Sequence, residues 1–338
     1  MNTSVLYVGL DYHQNSVRVC AMNRQGEILL NRDVDSNWIA IRNAVRAKWS
    51  GPVYAAIEAC CGAAAMADEL VVRAGWSVDL AHPGYVSRMK QSMDKTDNID
   101  GRVLADLSRV GYLPKVWLAP EPIRELRRLN SYRADLAKRR RNTKLRIGAM
   151  LRDQRVQSAA RTRWSKPWRK WALETLGLSE NGRWIVAQEM EELDRIEGKM
   201  VEVELLMLKQ TTKDPLVRRL AEIKGIGLVT ACYLRGAIGR FDRFRSGKQL
   251  ARFCGLSPRN ASSGACQADA GLISACDRTL RALLIEASHC LIRFDKRWNT
   301  FARHLRSQGK HTCVVAAAVA NRWMRGLWHE MKPLGAGI

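Results

Sequence analysis

None of the nine cysteines in this 338-residue chain forms a Cys-x-x-Cys pair, and their number is odd. That argues against a zinc ribbon and against a disulfide framework. Cys60 and Cys61 are adjacent, too close for an ordinary bridge. His289, Cys290, His304, His311 and Cys313 fall in a helical stretch and read as packing and surface residues before they read as metal ligands. No apolar run approaches the roughly 18 residues of a membrane helix. Asp11 interrupts the amino-terminal apolar run, so neither a signal peptide nor a membrane span is expected, and the predicted location is cytoplasmic. Acidic residues are scarce: 33 Asp and Glu stand against 56 Lys and Arg, a net charge of +23. Such a surplus favours polyanionic partners, nucleic acid first. An anionic membrane is the competing partner, but no lipid-anchor motif or terminal basic amphipathic helix supports it.

What is present is long enough for two or more domains. Val5 to Leu10, Ser16 to Met22 and Ile28 to Val34 read as a strand meander with a turn at Asn23 to Gly26. Trp38 to Trp49 has helical spacing, Gly51-Pro52 breaks it, and a strand follows that ends at Glu58. Gly62 to Arg73 reads as a buried helix, and Trp76 to Ala81 as a further strand before the His82-Pro83-Gly84 turn. Three early strands followed by alternating helix and strand predict an α/β sheet with a hairpin edge.

Two of these strands stop on a carboxylate, Asp11 and Glu58. An unpaired buried charge is expensive, so a strand ending this way delivers its acid to an edge or cleft. Asp97 and Asp100 stand three residues apart at the start of a helix-like segment, one turn from each other. An N-cap with an acid in the first turn is the plain explanation for that pair. Two unit charges 4 Å apart at an effective dielectric near 20 cost about 4 kcal/mol, however, so converging acids need a cation, a shared proton or a lysine. The four carboxylates together are a candidate site for a hard divalent ion, Mg²⁺ or Mn²⁺, suited to phosphoryl chemistry. The element order matches a ribonuclease H-like architecture.

Gly9-Leu10-Asp11, Ile57-Glu58-Ala59 and Lys95-Thr96-Asp97-Asn98-Ile99-Asp100 resemble the acidic tetrad of the DEDD transposases of the insertion sequence 110 family, which includes the Piv-type invertases. Glu58-Ala59-Cys60-Cys61-Gly62 resembles one branch, where other members have Glu-Ala-Thr-Gly. The resemblance implies a RuvC-like amino-terminal domain, with Asp11, Glu58, Asp97 and Asp100 as metal ligands.

From Pro120 the character changes. Ile123 to Leu151 carries Arg124, Arg127, Arg128, Arg133, Lys138, Arg139, Arg140, Arg141 and Lys144 with few acids, a long basic helix with a thin apolar stripe. A solvated face is the plain alternative, but so one-sided a run is better explained by phosphate contact. Trp164, Trp168 and Trp171 surround Pro167 and read as a small core at a bend before they read as base-stacking groups. Ile185 to Leu208 has a heptad seam at Leu193, Ile196, Met200, Val203 and Met207, which predicts a coiled coil. Its partner could be the basic helix of the same chain or a second copy.

Gly225-Ile226-Gly227 between two helices makes a tight turn whose N–H groups could face a phosphate, or merely a close helix–helix connection. Phe253-Cys254-Gly255-Leu256-Ser257-Pro258-Arg259, followed by Ser262-Ser263-Gly264, resembles the carboxy-terminal transposase domain of the same family. The resemblance makes Ser263 the nucleophile, with Ser262 the neighbouring alternative, and Arg259 a nucleic-acid contact. Without it, Ser-Ser-Gly is an ordinary turn. Ser274-Ala275-Cys276-Asp277 departs from the family pattern, which has Ser-Lys-x-Gly before a Leu-Arg helix.

The expectation is therefore a RuvC-like domain over residues 1–118, a basic helical and coiled-coil region over 119–212, and an all-helical transposase domain over 213–338. The implied function is a transposase or site-specific recombinase that cuts and rejoins donor and target DNA through a phosphoserine link. Family resemblance further implies a homo-oligomer, dimeric or tetrameric, guided by a structured bridge RNA. Competing readings are a RuvC-like junction-resolving nuclease using water, an actin-like or sugar-kinase ATPase, and a nucleic-acid-binding protein without chemistry.

Overall fold

The computed structural model describes residues 4–47, 49–89, 97–157, 162–260 and 269–335. The chain divides into two compact units, Met1–Pro120 and Glu121–Ile338.

The first unit is built on a six-stranded sheet. β1 (Leu6–Tyr12), β2 (Ser16–Met22) and β3 (Ile28–Asp35) form the expected meander, followed by α1 (Trp38–Arg46) and β4 (Val53–Glu58). α2 (Ala63–Ala74), β5 (Ser77–Ala81), α3 (Pro83–Met89), α4 (Asp97–Arg109) and the short β6 (Lys115–Val116) complete it. The strand order is β3-β2-β1-β4-β5-β6. β1 runs antiparallel to β2 and parallel to β4, and β4 runs parallel to β5. Turn chemistry fixes the meander: the Asn23 side chain accepts from the N–H groups of Gln25 and Glu27 at 3.0 and 2.9 Å, and Gly26 takes φ +90°.

Alternation along the strands separates two faces. Leu6, Val8 and Leu10 of β1 join Val53, Ala55 and Ile57 of β4 under α1 and α2, with Ile41, Val45, Met66 and Leu70 filling the layer. The opposite face is covered by α4, through Leu104 on Ala56 and Ala81, and Ala105 on Cys20 and Met22.

The second unit is helical apart from one small hairpin. α5 (Glu121–Asp153), α6 (Lys166–Glu174) and α7 (Glu180–Thr211) come first, then α8 (Pro215–Ala221), α9 (Leu228–Ile238) and α10 (Gly247–Phe253). β7 (Pro258–Asn260) and β8 (Asp269–Leu272) pair antiparallel, and α11 (Arg278–Phe294), α12 (Lys296–Ser307) and α13 (Thr312–Met331) follow.

The apolar seam of α7 finds its partner within the chain. Ion pairs Arg133–Glu204 at 2.8 Å, Lys144–Glu197 at 3.4 Å and Arg146–Glu189 at 2.7 Å descend one helix as they climb the other, so α5 and α7 lie antiparallel. Val186, Met190 and Leu193 pack with Ile147, Leu151 and Trp168. Ile196, Met200, Val203 and Met207 join the main core under α8, α9, α11 and α13. Trp168 is fully buried between Trp164 and Trp171, with ring centroids 4.6 and 6.0 Å away. The tryptophan cluster is thus a small core at the bend. Among the described residues no helix is long and apolar enough to cross a membrane.

Candidate active site

The rows of side chains on the sheet lead to the acids. Tyr7 and Tyr54 are register partners on the α4 face, with rings stacked at 6.1 Å, and Gly9 pairs with Ala56 one step further on. Two residues beyond, the same rows end in Asp11 and Glu58. Both are half-buried, Asp11 with a side chain 15% exposed. Adjacent parallel strands therefore carry the two carboxylates to one edge of one face.

α4 brings the others. Gly9 and Gly101 let the helix backbone touch β1: a Cβ on Gly9 would stand 1.9 Å from the Gly101 carbonyl oxygen and 2.6 Å from the Ala105 nitrogen. Further along, Ala105 packs on Met22, and Arg109 donates from Nη1 to the Arg24 carbonyl at 3.3 Å, beside the meander turn. The carboxyl end of α4 thus lies over the start of β1. Its amino end, which carries Asp97 and Asp100, points toward the end of β1 where Asp11 stands. Asp97 opens the helix, its side chain lying outside the described residues, and Asp100 is half-buried.

The loop from Ala59 to Gly62 closes round the end of β1. Cys60 Sγ lies 3.8 Å from the Tyr12 carbonyl oxygen, and Gly62, at φ +87°, leaves room for the Tyr12 ring. Burial pushes the Cys60 thiol up, and the charges of Glu58 and Asp11 push it the same way, so both acids are felt at one sulfur. The sequence reading missed two histidines at this edge. His13 Nε2 lies 3.3 Å from Asp11 Oδ2, and His82 follows Ala81, the register partner of Glu58. Each follows a strand end directly, the only signal that could have found them.

As donors, the carboxylates are of the hard oxygen type that divalent cations of the Mg²⁺ class prefer. Among the described residues no three His, Cys, Asp or Glu side chains stand close enough together to hold an ion. Asp11, Glu58 and Asp100 suit such a cation in chemistry, and adjacent strands bring Asp11 and Glu58 to one edge.

The basic helix is sorted by the fold into two groups. Arg124 and Arg128 pair with Glu121, Arg139 with Asp135, and Arg133 and Lys144 reach α7. Arg127 is drawn inward, its Nε donating to the Gly236 carbonyl at 2.7 Å. Lys138, Arg140 and Arg141 make no ion pair among the described residues. Arg140, Arg141, Lys144, Arg152 and Arg163 line a groove of about 440 Å³ closed by Trp164, over whose ring Lys144 lies at 5.2 Å. Arg152, Arg163 and Trp164 join this basic face only through the fold.

Gly225 takes φ +90° where a Cβ would meet that of Cys290 at 2.5 Å, and Gly227 caps α9. Arg259 is exposed on β7, while Ser262 and Ser263 lie outside the described residues. The segment that departs from the family pattern is well built. Asp277 caps α11 by accepting from Thr279 and Leu280, and Cys276 packs where a Cβ on Gly255 would come within 2.3 Å of its sulfur.

Two family models match in this order. The DEDD transposase model of the insertion sequence 110 family, described as Transposase, matches residues 8–154, and one described as Transposase IS116/IS110/IS902 family matches residues 217–303. The chain belongs to the insertion sequence 110 family of transposases. Two relatives match along nearly its whole length and a third along less than half of it. The transposase for insertion sequence element IS1328 of Yersinia enterocolitica is 23% identical over 96% of both chains. A Sinorhizobium fredii protein named for a transposase, y4qE, is 25% identical over 95% of this chain and 87% of its own. A Pseudomonas aeruginosa protein named for a family 20 transposase is 32% identical over 41% of this chain and 42% of its own. The protein is a DNA transposase, and the DEDD in the first model's name implies dependence on a divalent metal.

Proposed function

We propose that the chain is a recombinase that cuts and rejoins donor and target DNA through a covalent link between DNA and Ser263. The observation that carries this is the arrival of Asp11, Glu58 and the acid-bearing end of α4 at one edge of one sheet face. The strand order β3-β2-β1-β4-β5-β6, antiparallel across β3-β2-β1 and at the short edge strand β6 and parallel across β1-β4-β5, supports a RuvC-like fold for residues 1–118. Residues 119–212 are then the basic helical region and 213–338 the serine-bearing domain.

Asp11, Glu58, Asp97 and Asp100 would hold Mg²⁺ or Mn²⁺, which supplies positive charge against the phosphate. A serine hydroxyl is a weak nucleophile until its proton leaves, and the carboxylate cluster accepts that proton. The Ser263 Oγ–phosphorus bond forms as the bond from phosphorus to the leaving strand breaks, and the leaving oxygen takes up a proton. The reverse sequence on a new strand rejoins the DNA and frees the serine. The surplus of basic charge suits two polyanions and supports a structured guide RNA as second partner. Completing the reading are a homo-oligomer of two or four chains and a cytoplasmic location.

A suicide DNA substrate incubated with Mg²⁺ and candidate RNA tests this, with mass spectrometry of any residue left on DNA. The expected adduct lies on Ser263 and is lost in Ser263→Ala and Asp100→Ala. Normal cutting by Ser263→Ala, with Asp97→Ala inactive, would instead make the protein a junction-resolving nuclease that uses water.

A further inference from the structure

A groove of about 880 Å³ lies in the second unit between α12, α13 and the β7–β8 hairpin. That volume falls within the roughly 300–1,000 Å³ of small-ligand sites. Nothing in the catalytic reading uses it, and no sequence motif marked it.

Its walls follow from the two faces of α13. Val315, Val319, Trp323, Met324 and Leu327 turn into the core. The opposite stripe lines the groove, small at Ala317, Ala318 and Gly326 and cationic at Arg322 and Arg325. α12 adds Arg297 and Phe301, one turn apart. Among the described residues no acid lines the groove, and Arg297, Arg322 and Arg325 have no carboxylate partner. Arg322 lies over the Phe301 ring at 4.7 Å and Arg297 over Trp298 at 4.8 Å, contacts that hold guanidinium planes in place with N–H edges free.

A floor of small apolar residues beneath a rim of unpaired arginines suits flat apolar faces joined by phosphates. In a duplex those faces are hidden in the stack, and only an unpaired strand offers them. Pro258 of β7 and Leu272 of β8 form one wall, and Ser263 lies in the chain between these strands. We infer that this groove holds unstacked single-stranded DNA flanking the scissile phosphate, with Arg297, Arg322 and Arg325 on its phosphates. The inference rests on the proposed recombinase reading and gives it a strand-holding site.

Fluorescence anisotropy of the full chain in metal-free buffer tests it, with a short labelled deoxyoligonucleotide, its duplex, and RNA of the same sequence. A Cβ at Gly326 meets no atom within 4 Å, so the side chain of Gly326→Leu starts into open space on the groove wall. Gly326→Leu should weaken single-strand binding at least about tenfold and leave duplex binding unchanged. Arg322→Ala with Arg325→Ala should flatten the salt slope for single strands by about 1.4, at about 0.7 per phosphate contact. The double variant carries the test if the leucine variant fails to fold, checked by circular dichroism. Unchanged single-strand affinity, equal losses for all three ligands, or a loss confined to RNA would each overturn the inference. Because nothing is cut in this assay, absence of a Ser263 adduct would leave its result standing.

Discussion

At the scale of the residue, Gly9 sets how closely α4 can approach β1. The atoms a Cβ would strike are the Gly101 carbonyl and the Ala105 nitrogen, both helix backbone, so neither can swing aside. Gly9→Ala should cost about 1–3 kcal/mol of stability, as overpacking does, and abolish metal-dependent DNA cutting by displacing Asp97 and Asp100. A thermal melt and a cutting assay check both. The Gly9-Leu10-Asp11 motif was legible, but the reason for its glycine was not, because the helix it touches begins nearly ninety residues later. Cys254 shows burial acting on a titration. Its thiol is pushed up to about 12, chiefly by burial, against an unfolded value near 9. Above pH 9 the unfolded chain loses this proton and the folded chain keeps it, so stability falls as pH rises from about 9 to about 12. The slope is about 1.4 kcal/mol per pH unit for one such thiol. Urea denaturation across this range should show it, flattened in Cys254→Ala.

Among elements, the strands were the most legible, since alternation and terminal acids mark β1 and β4 directly. The seam of α7 was legible as a stripe but not in its partner, because a heptad states only that an apolar face must be covered. The glutamates between the seam positions decide it, since Glu189, Glu197 and Glu204 meet basic residues of α5 at antiparallel spacing. For the same reason the one-sided charge of α5 overstated its free cations, and Arg127 and Arg133 prove to be structural ties. The junction of α8 and α9 rests on another such tie. Arg235, 4% exposed, donates from Nε to Asp214 at 2.6 Å, and Asp214 also caps α8. Asp214→Ala leaves the guanidinium buried and unpaired and should cost about 3–5 kcal/mol. Asp214→Ala combined with Arg235→Met should recover much of that loss, as chemical denaturation would show.

Taken as a whole molecule, the chain couples a sheet edge rich in carboxylate to an excess of basic charge. The second property was plain from composition, and it predicts steep salt dependence. A protein making 6 to 10 phosphate contacts loses about 10³- to 10⁵-fold in affinity between 50 and 200 mM salt, and a flat response in a filter-binding titration would contradict a phosphate role for α5. The first property was legible only residue by residue; the sheet register brings Asp11 and Glu58 to one edge, and the proposed convergence adds the acids of α4. The most direct test of that convergence is cleavage mapping with Fe²⁺ in place of Mg²⁺, in which ascorbate and peroxide cut the backbone beside the bound ion. Cuts clustered near Asp11, near Glu58 and at the start of α4, all lost in Asp11→Asn, are the predicted pattern. Scattered cuts, or clustered cuts that survive Asp11→Asn, would show that these acids do not share an ion.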